Sequence, residues 1–107
     1  EPDPRQIEAA LSLGAPVVEL HTGRYCALSG EEQAAELRRI ADAAALAVKN
    51  GIEPHAGHGL TFDNVLPIAA IPQIAELNIG HVLIGEAIFT GLDASVRRMR
   101  ELMDEAR

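Results

Sequence analysis

The feature that most constrains this chain is a regular alternation of strand-length apolar runs with stretches of helical period. Residues 17–20, 52–56 and 76–79 have the length and the residue types of strands, and helical periodicity returns after each of them. Strands that are joined through helices pair in parallel, with right-handed crossovers. The sequence therefore predicts an α/β fold that is built on a parallel sheet.

Capping residues, glycines and prolines mark the ends of the predicted helices. The first helix should begin at Asp3, an N-cap residue followed by proline, and should end at Gly14. After a predicted loop at residues 22–28, a capping-box pattern that begins at Ser29 should open the longest helix. The apolar stripe of that helix is predicted at Leu37, Ile40, Ala41, Ala44 and Val48. Further helices are predicted over residues 61–71, 82–89 and 92–106.

The predicted strands carry polar side chains that are unusual for a sheet between two helix layers. Alternation along a strand puts Glu19 on the face opposite to Leu20. Polar residues of this kind fit the inner face of a barrel, near its catalytic end. They are Glu19, His21, His55, Glu76 and Asn78. We therefore predict one partial domain over residues 1–107, the C-terminal part of a (β/α)₈ TIM barrel from the end of strand 5 to helix 8. The chain begins without methionine, and we expect it to be an excerpt that lacks the N-terminal half of the barrel.

Charge and cysteine content narrow the possible functions. The chain has 9 Lys and Arg against 16 Asp and Glu, so its net charge of −7 leaves no surplus of cations for broad binding to nucleic acid or to a membrane surface. No apolar run reaches the length of a membrane span, and no signal-peptide pattern is present. The single cysteine, Cys26, cannot form an internal disulfide, which suits a reducing cytosol. We therefore expect a cytoplasmic protein.

A glycine-rich turn, His-Ala-Gly-His-Gly-Leu, follows the second predicted strand at residues 55–60. Gly57 and Gly59 flank His58, and they allow the backbone a positive φ or a close approach to a ligand. Histidine titrates near neutral pH, and α/β proteins place their chemistry where strands end. His58 is therefore a candidate catalytic residue, and the plain alternative is an exposed histidine on a turn.

The residues suggest a phosphate group as ligand and, as an alternative, a metal ion. Gly80 and His81 begin a short helix after the third predicted strand, and backbone N–H groups at such a helix start suit a phosphate dianion. His55 and His58 could instead form a metal pair with Glu19 as third ligand, although zinc sites usually show a clearer ligand set. We predict neither a metal nor another cofactor.

Three motifs follow one another along essentially the whole chain, and their combination is more specific than any one of them. Residues 18–25 are Val-Glu-Leu-His-Thr-Gly-Arg-Tyr, and residues 55–61 are His-Ala-Gly-His-Gly-Leu-Thr. Residues 67–72, Pro-Ile-Ala-Ala-Ile-Pro, precede Glu-Leu-Asn-Ile-Gly-His at residues 76–81. These motifs resemble strands 6, 7 and 8 of the pyridoxine 5′-phosphate synthase family. Pro54 departs from the family pattern, which usually has a β-branched residue there, and it should shorten the second strand.

The resemblance implies an enzyme of vitamin B6 biosynthesis that condenses 3-amino-2-oxopropyl phosphate with 1-deoxy-D-xylulose 5-phosphate. The products are pyridoxine 5′-phosphate, phosphate and water. It implies that His58 is the proton donor, that Glu19 stabilises charge in the transition state, and that Gly59, Gly80 and His81 bind the amino-ketone phosphate. It further implies a homo-oligomer, an octamer.

The resemblance also puts the family's other catalytic histidine and glutamate on earlier strands, with most contacts to the sugar phosphate. We therefore expect this chain to be inactive by itself. Two other interpretations remain open. One is a different phosphate-binding barrel enzyme that shares only the helix start at Gly80 and His81. The other is a non-catalytic half-barrel that serves as an assembly module.

Overall fold

A computed structural model, which describes residues 1–107, confirms the alternation of helices and strands and the parallel sheet. The three strands pair in the order β1-β2-β3, and both pairs are parallel. In chain order the elements are α1 (Pro4–Ser12), β1 (Val17–His21), α2 (Gly23–Ala27), α3 (Gly30–Lys49), β2 (Glu53–Gly57), α4 (Val65–Ala69), β3 (Glu76–Asn78), α5 (His81–Thr90) and α6 (Leu92–Glu105).

The two faces of the sheet differ in polarity. One face packs against helices, where Leu20 and Ala56 are buried and Leu77 is half-buried. The other face is open and polar, as the alternation in the sequence predicts. Two rows of residues cross this open face, Glu19–His55–Glu76 and, nearer the carboxyl ends of the strands, His21–Gly57–Asn78.

The core lies between the sheet and the helices, and α3 contributes most to it. Ala43, Ala44 and Ala47 are buried with Ile40, and their small side chains let the helix lie close to β1 and β2. The prediction that Val48 belongs to the buried stripe is wrong, because its side chain is 49% exposed. At 100° per residue, Val48 lies roughly 80° around the helix from Ile40, whereas Ala47 lies almost directly in line with it.

Pro54 does not shorten the second strand, although it lies in the middle of the sheet. All five residues of β2 pair with the five residues of β1. The carbonyl of Pro54 accepts from the N–H of Ala75 at 3.0 Å, so its nitrogen faces the β3 side as well. Pairing with β3 begins only at His55. Proline has no N–H to donate, but at this position the sheet would form no hydrogen bond through that group.

The predicted boundaries of the elements differ from the structure in two places, the loop predicted after β1 and the helix predicted over residues 61–71. Residues 23–27, predicted as loop, form α2. Ser29 precedes α3 but makes no capping hydrogen bond through its side chain. Within the predicted helix 61–71, only Val65–Ala69 is helical, with Pro67 in its first turn as expected. The residues before it form turns that lead away from the sheet.

The last two helices pack on each other, and α5 buries none of its residues. On α6, the ion pairs Asp93–Arg97 and Arg100–Asp104, each four residues apart, are both present at 2.7 Å. Such exposed pairs add little to stability. No helix in the structure is at once long enough and apolar enough to cross a membrane.

Candidate active site

A cleft of about 660 Å³ opens at the carboxyl ends of the strands, and it brings together all five predicted site residues. We call it the strand-end cleft. It is bounded by Glu19 of β1, by the end of β3, by the turn that follows β2 and by the first residues of α5. Its lining residues are Glu19, His58, Gly59, Leu60, Thr61, Asn78, Ile79, Gly80, His81 and Val82. Asn78 of β3 is a polar lining residue that was not predicted as part of the site. It lies two residues after Glu76 and therefore on the same face of the strand, and this spacing is the sequence signal that could have assigned it to the site.

The turn at His58 has an unusual backbone that the neighbouring strand holds in place. His58 is the one non-glycine residue with a positive φ, 88°, and Gly59 follows at 78°. Such a conformation costs a side-chain-bearing residue about 1–3 kcal/mol. Buried Thr22, directly after β1, compensates with two hydrogen bonds: its hydroxyl donates to the carbonyl of His58 at 2.6 Å, and its N–H donates to the carbonyl of Gly57 at 2.8 Å.

Cys26 supports the same turn from α2. Its thiol donates to the carbonyl of His58 at 3.6 Å, and a Cβ on Gly59 would lie 3.2 Å from the Cβ of Cys26. Glycine at this position therefore provides both the positive φ and the room for the cysteine. Burial raises the pKa of the Cys26 thiol, against smaller opposing effects of hydrogen bonds with Thr22 and Asn64. The protonated thiol is the form that can donate to the carbonyl.

The ring of His58 is stacked on the ring of His21, the last residue of β1. The ring centroids are 4.4 Å apart and the ring planes are inclined by 24°. Nδ1 of His21 accepts a hydrogen bond from the N–H of Gly23 at 3.2 Å. Sequence reasoning did not predict the stacking, because it depends on the register of β1 with β2 and on the shape of the turn.

Glu19 reaches the cleft through space that Gly57 leaves open. A Cβ on Gly57 would lie 2.5 Å from Oε1 of Glu19 and 2.8 Å from the carbonyl oxygen of Asn78. The carboxylate of Glu19 makes no hydrogen bond or ion pair within the chain. Glu19 is also the only acidic residue that lines the cleft. An unpaired carboxylate at this place can stabilise a positive charge that develops on a bound molecule.

The opposite wall of the cleft is the start of α5. Gly80 is the N-cap residue, and no side chain caps the helix. The first N–H groups of a helix have no partner within it, and here the first residues of α5, His81 and Val82, line the cleft together with Gly80. A Cβ built on Gly80 meets nothing within 4 Å, so this place is open to a ligand. Its chemistry suits an anion.

His55 lies outside the cleft. Its Nε2 is 2.8 Å from Oε2 of Glu53, and its Nδ1 is 3.9 Å from Oε1 of Glu76. No group of three His, Cys, Asp or Glu side chains is arranged to hold a metal ion. The alternative metal site of His55, His58 and Glu19 therefore does not form.

Comparison with known proteins identifies similar sequences along the whole chain. The family model described as pyridoxal phosphate biosynthesis protein PdxJ matches residues 1–105. A pyridoxine 5′-phosphate synthase from Zymomonas mobilis is 66% identical over 107 residues, which cover 100% of this chain and 42% of that protein. Proteins of the same name from Rhodospirillum rubrum and Caulobacter vibrioides are 62% and 60% identical, over 43% and 44% of their lengths. The chain thus spans less than half of these relatives.

Proposed function

Because the chain belongs to the family of the pyridoxal phosphate biosynthesis protein PdxJ, we propose that the whole protein is a pyridoxine 5′-phosphate synthase. Its reaction would condense 3-amino-2-oxopropyl phosphate with 1-deoxy-D-xylulose 5-phosphate. The products would be pyridoxine 5′-phosphate, inorganic phosphate and water. The relatives that carry this name are more than twice as long as the chain, so the activity belongs to the full-length protein.

The observation that carries this proposal is the convergence of the five site residues on one cleft. Glu19 comes from the middle of β1 and His58 from the turn that follows β2, while Gly80 and His81 come from the start of the helix that follows the third strand. These residues are far apart in the sequence, yet they surround a space large enough for a small phosphorylated molecule. A histidine, a free carboxylate and a helix start are the groups that this chemistry needs.

Each group has a distinct part in the proposed reaction. Imine formation, addition and dehydration require proton transfers by a positioned side chain, and His58 would donate a proton to a departing oxygen. Glu19 would stabilise the cationic character of the imine carbon and nitrogen. The N–H groups at Gly80 and His81 would hold the phosphate of the amino ketone, and Gly59 would lie against the same substrate.

The polar open face of the sheet supports a barrel as the architecture of the whole protein. A sheet between two helix layers has apolar side chains on both faces, whereas this one exposes Glu19, Glu76 and Asn78 on the same side. We propose that β1, β2 and β3 are strands 6, 7 and 8 of a (β/α)₈ barrel and that residues 1–107 are the corresponding part of one domain. Remaining strands would supply the other acid/base pair. The family resemblance further suggests a cytoplasmic homo-oligomer, an octamer.

The first test replaces His58 by Asn in the full-length protein. We expect kcat to fall by about 10²–10⁴, the usual contribution of general acid catalysis. His55→Asn is the matched control, because His55 lies on β2, three residues before His58, but outside the cleft, and it should change kcat by less than about twofold. A loss of less than about tenfold in His58→Asn would remove His58 from the role of proton donor.

The second test asks which enzyme this is. Full-length protein is incubated with the two phosphorylated substrates, and both inorganic phosphate and pyridoxine 5′-phosphate are measured. Equal amounts of the two products are expected. Failure of the well-folded protein to form pyridoxine 5′-phosphate would contradict the proposal and favour another phosphate-binding enzyme or an assembly module.

A further inference from the structure

His21 contacts the proposed proton donor, His58, but does not line the strand-end cleft. Its ring stacks on that of His58, with 4.4 Å between the centroids, while the residues that line the strand-end cleft do not include it. His21 can therefore act on the reaction through its stacking contact with His58.

The backbone pairing of β1 and two close contacts with Gly23 fix the position of His21. It belongs to β1, paired with Gly57 of β2, so its Cα is anchored in the sheet beside the turn. The N–H of Gly23 donates to Nδ1 at 3.2 Å. Gly23 also lies close to both rings: a Cβ there would be 2.5 Å from Cε1 of His21 and 3.0 Å from Cδ2 of His58. Any larger residue at position 23 would push the two rings out of place.

His58 needs such support more than an ordinary histidine does. The turn leaves its side chain exposed, and the terminal torsion of a histidine ring has a broad, weakly defined minimum. The hydrogen bonds of Thr22 hold only the backbone carbonyls on either side of the turn. A flat neighbouring ring restricts rotation of the His58 ring, and a proton donor that is misplaced by 1 Å can cost 10²-fold in rate.

We propose that His21 is a positioning residue, whose ring fixes the orientation of the His58 ring toward the cleft by stacking. This inference rests on the proposed role of His58 as proton donor. His21 would act through the flat face of its ring and not by transferring a proton. A flat ring without nitrogen should therefore be able to replace it.

The experiment compares His21→Ala with His21→Phe in the full-length protein. His21→Ala should lower kcat by about 10- to 100-fold and leave KM for the amino ketone within about threefold, because the substrate is not touched. His21→Phe keeps a flat ring against His58 and should restore kcat to within about threefold of the wild type. Thermal unfolding of both variants measures any loss of stability. Full activity in His21→Ala, or equal losses in both variants, would overturn the proposal.

A double-mutant cycle separates positioning from a general structural role. In the His58→Asn background the ring that His21 positions is gone, so adding His21→Ala should lower the remaining kcat by less than about twofold. The same 10- to 100-fold loss in both backgrounds would mean that His21 acts on something other than His58, and the proposal would be wrong.

The cycle also distinguishes this inference from the proposed function. If His58→Asn itself keeps its activity, the proton-donor role is the part that fails, and His21 then has nothing to position. If His58→Asn is inactive while His21→Ala is fully active, the proposed function stands and only the positioning role is lost.

Discussion

Glu19 and His58 illustrate how much of the site a sequence can reveal residue by residue. Strand alternation predicts that Glu19 faces away from Leu20, and the structure confirms it. Flanking glycines indicate a turn of unusual backbone at His58, although the structure extends the positive φ to His58 itself. The supporting contacts of Thr22 and His21 could not be predicted, because they depend on the register of two strands that are distant in sequence.

Replacing Glu19 by Gln tests whether its free carboxylate acts in the transition state. The amide has almost the same shape but no charge, so kcat should fall by at least about tenfold while KM changes by less than about twofold. Steady-state kinetics of the full-length protein measure both. The matched control is Glu76→Gln, on the same face of the sheet but outside the cleft. An increase of KM with unchanged kcat would assign Glu19 to substrate binding instead.

The thiol of Cys26 should react slowly, because burial raises its pKa above the ordinary value for cysteine. A raised pKa means that a smaller fraction is thiolate at pH 8, and the thiolate is the nucleophile. Alkylation by iodoacetamide, followed at the Cys26 peptide by mass spectrometry, should therefore have its midpoint at a higher pH in the native protein than in the unfolded protein. Protein unfolded in urea is the control and should show the ordinary midpoint. A native midpoint at or below that of the unfolded protein would contradict this expectation.

At the scale of elements, local sequence patterns predicted most helices and strands. They failed to predict elements that are stabilised by contacts with distant parts of the chain. α2 has only five residues and no side-chain cap, so its sequence is typical of a loop. The structure holds it by the hydroxyl of Tyr25, which donates to the carbonyl of Asn64 at 2.8 Å, and by Gln33, whose amide donates to the carbonyl of Tyr25 at 3.1 Å. Both partners lie in other elements, where no pattern within α2 could indicate them.

The start of α5 yields a prediction about the phosphate. A Cβ on Gly80 meets nothing within 4 Å, so the side chain of Gly80→Val has room within the chain's own structure. The added methyl groups would instead occupy the place of the phosphate. KM for the amino ketone should rise by at least about tenfold, since charge-assisted hydrogen bonds to the N–H groups are lost.

A second glycine provides the control for this change. Gly85 lies in the middle of α5 and outside the cleft, and a Cβ there also meets nothing within 4 Å. Gly85→Val should leave KM within about twofold. A crystal soaked in phosphate should show the anion within hydrogen-bond distance of the N–H groups of Gly80 and His81. An unchanged KM in Gly80→Val, with the anion elsewhere, would move the phosphate site to Gly59.

At the scale of the whole molecule, the 107-residue chain leaves surfaces uncovered that a folded protein usually buries. The face of the sheet that carries Glu19 and Asn78 has no covering layer, and the sheet has two unpaired edges. α5 buries no residue, and Ile88 and Phe89 on it are 79% and 85% exposed. The alternation of residues along the strands predicted the polar face of the sheet. The exposed apolar surface of α5 was not predicted, because α5 has the composition of a buried helix.

The isolated 107-residue chain should therefore be prone to aggregation or behave as a molten state, whereas the full-length protein unfolds cooperatively. Unpaired strand edges and exposed apolar side chains favour association, and a sheet that lacks its other strands has too little burial to fix its packing. Thermal unfolding with light scattering and dye binding would compare the two proteins.

Changing Ile88 and Phe89 to Lys should reduce aggregation of the isolated chain, because both side chains are exposed in it. In the full-length protein, where we expect that face to be covered, the same changes should lower the unfolding temperature. A sharp, reversible transition of a soluble monomer would show that the three strands form a domain of their own, and the barrel would have to be abandoned.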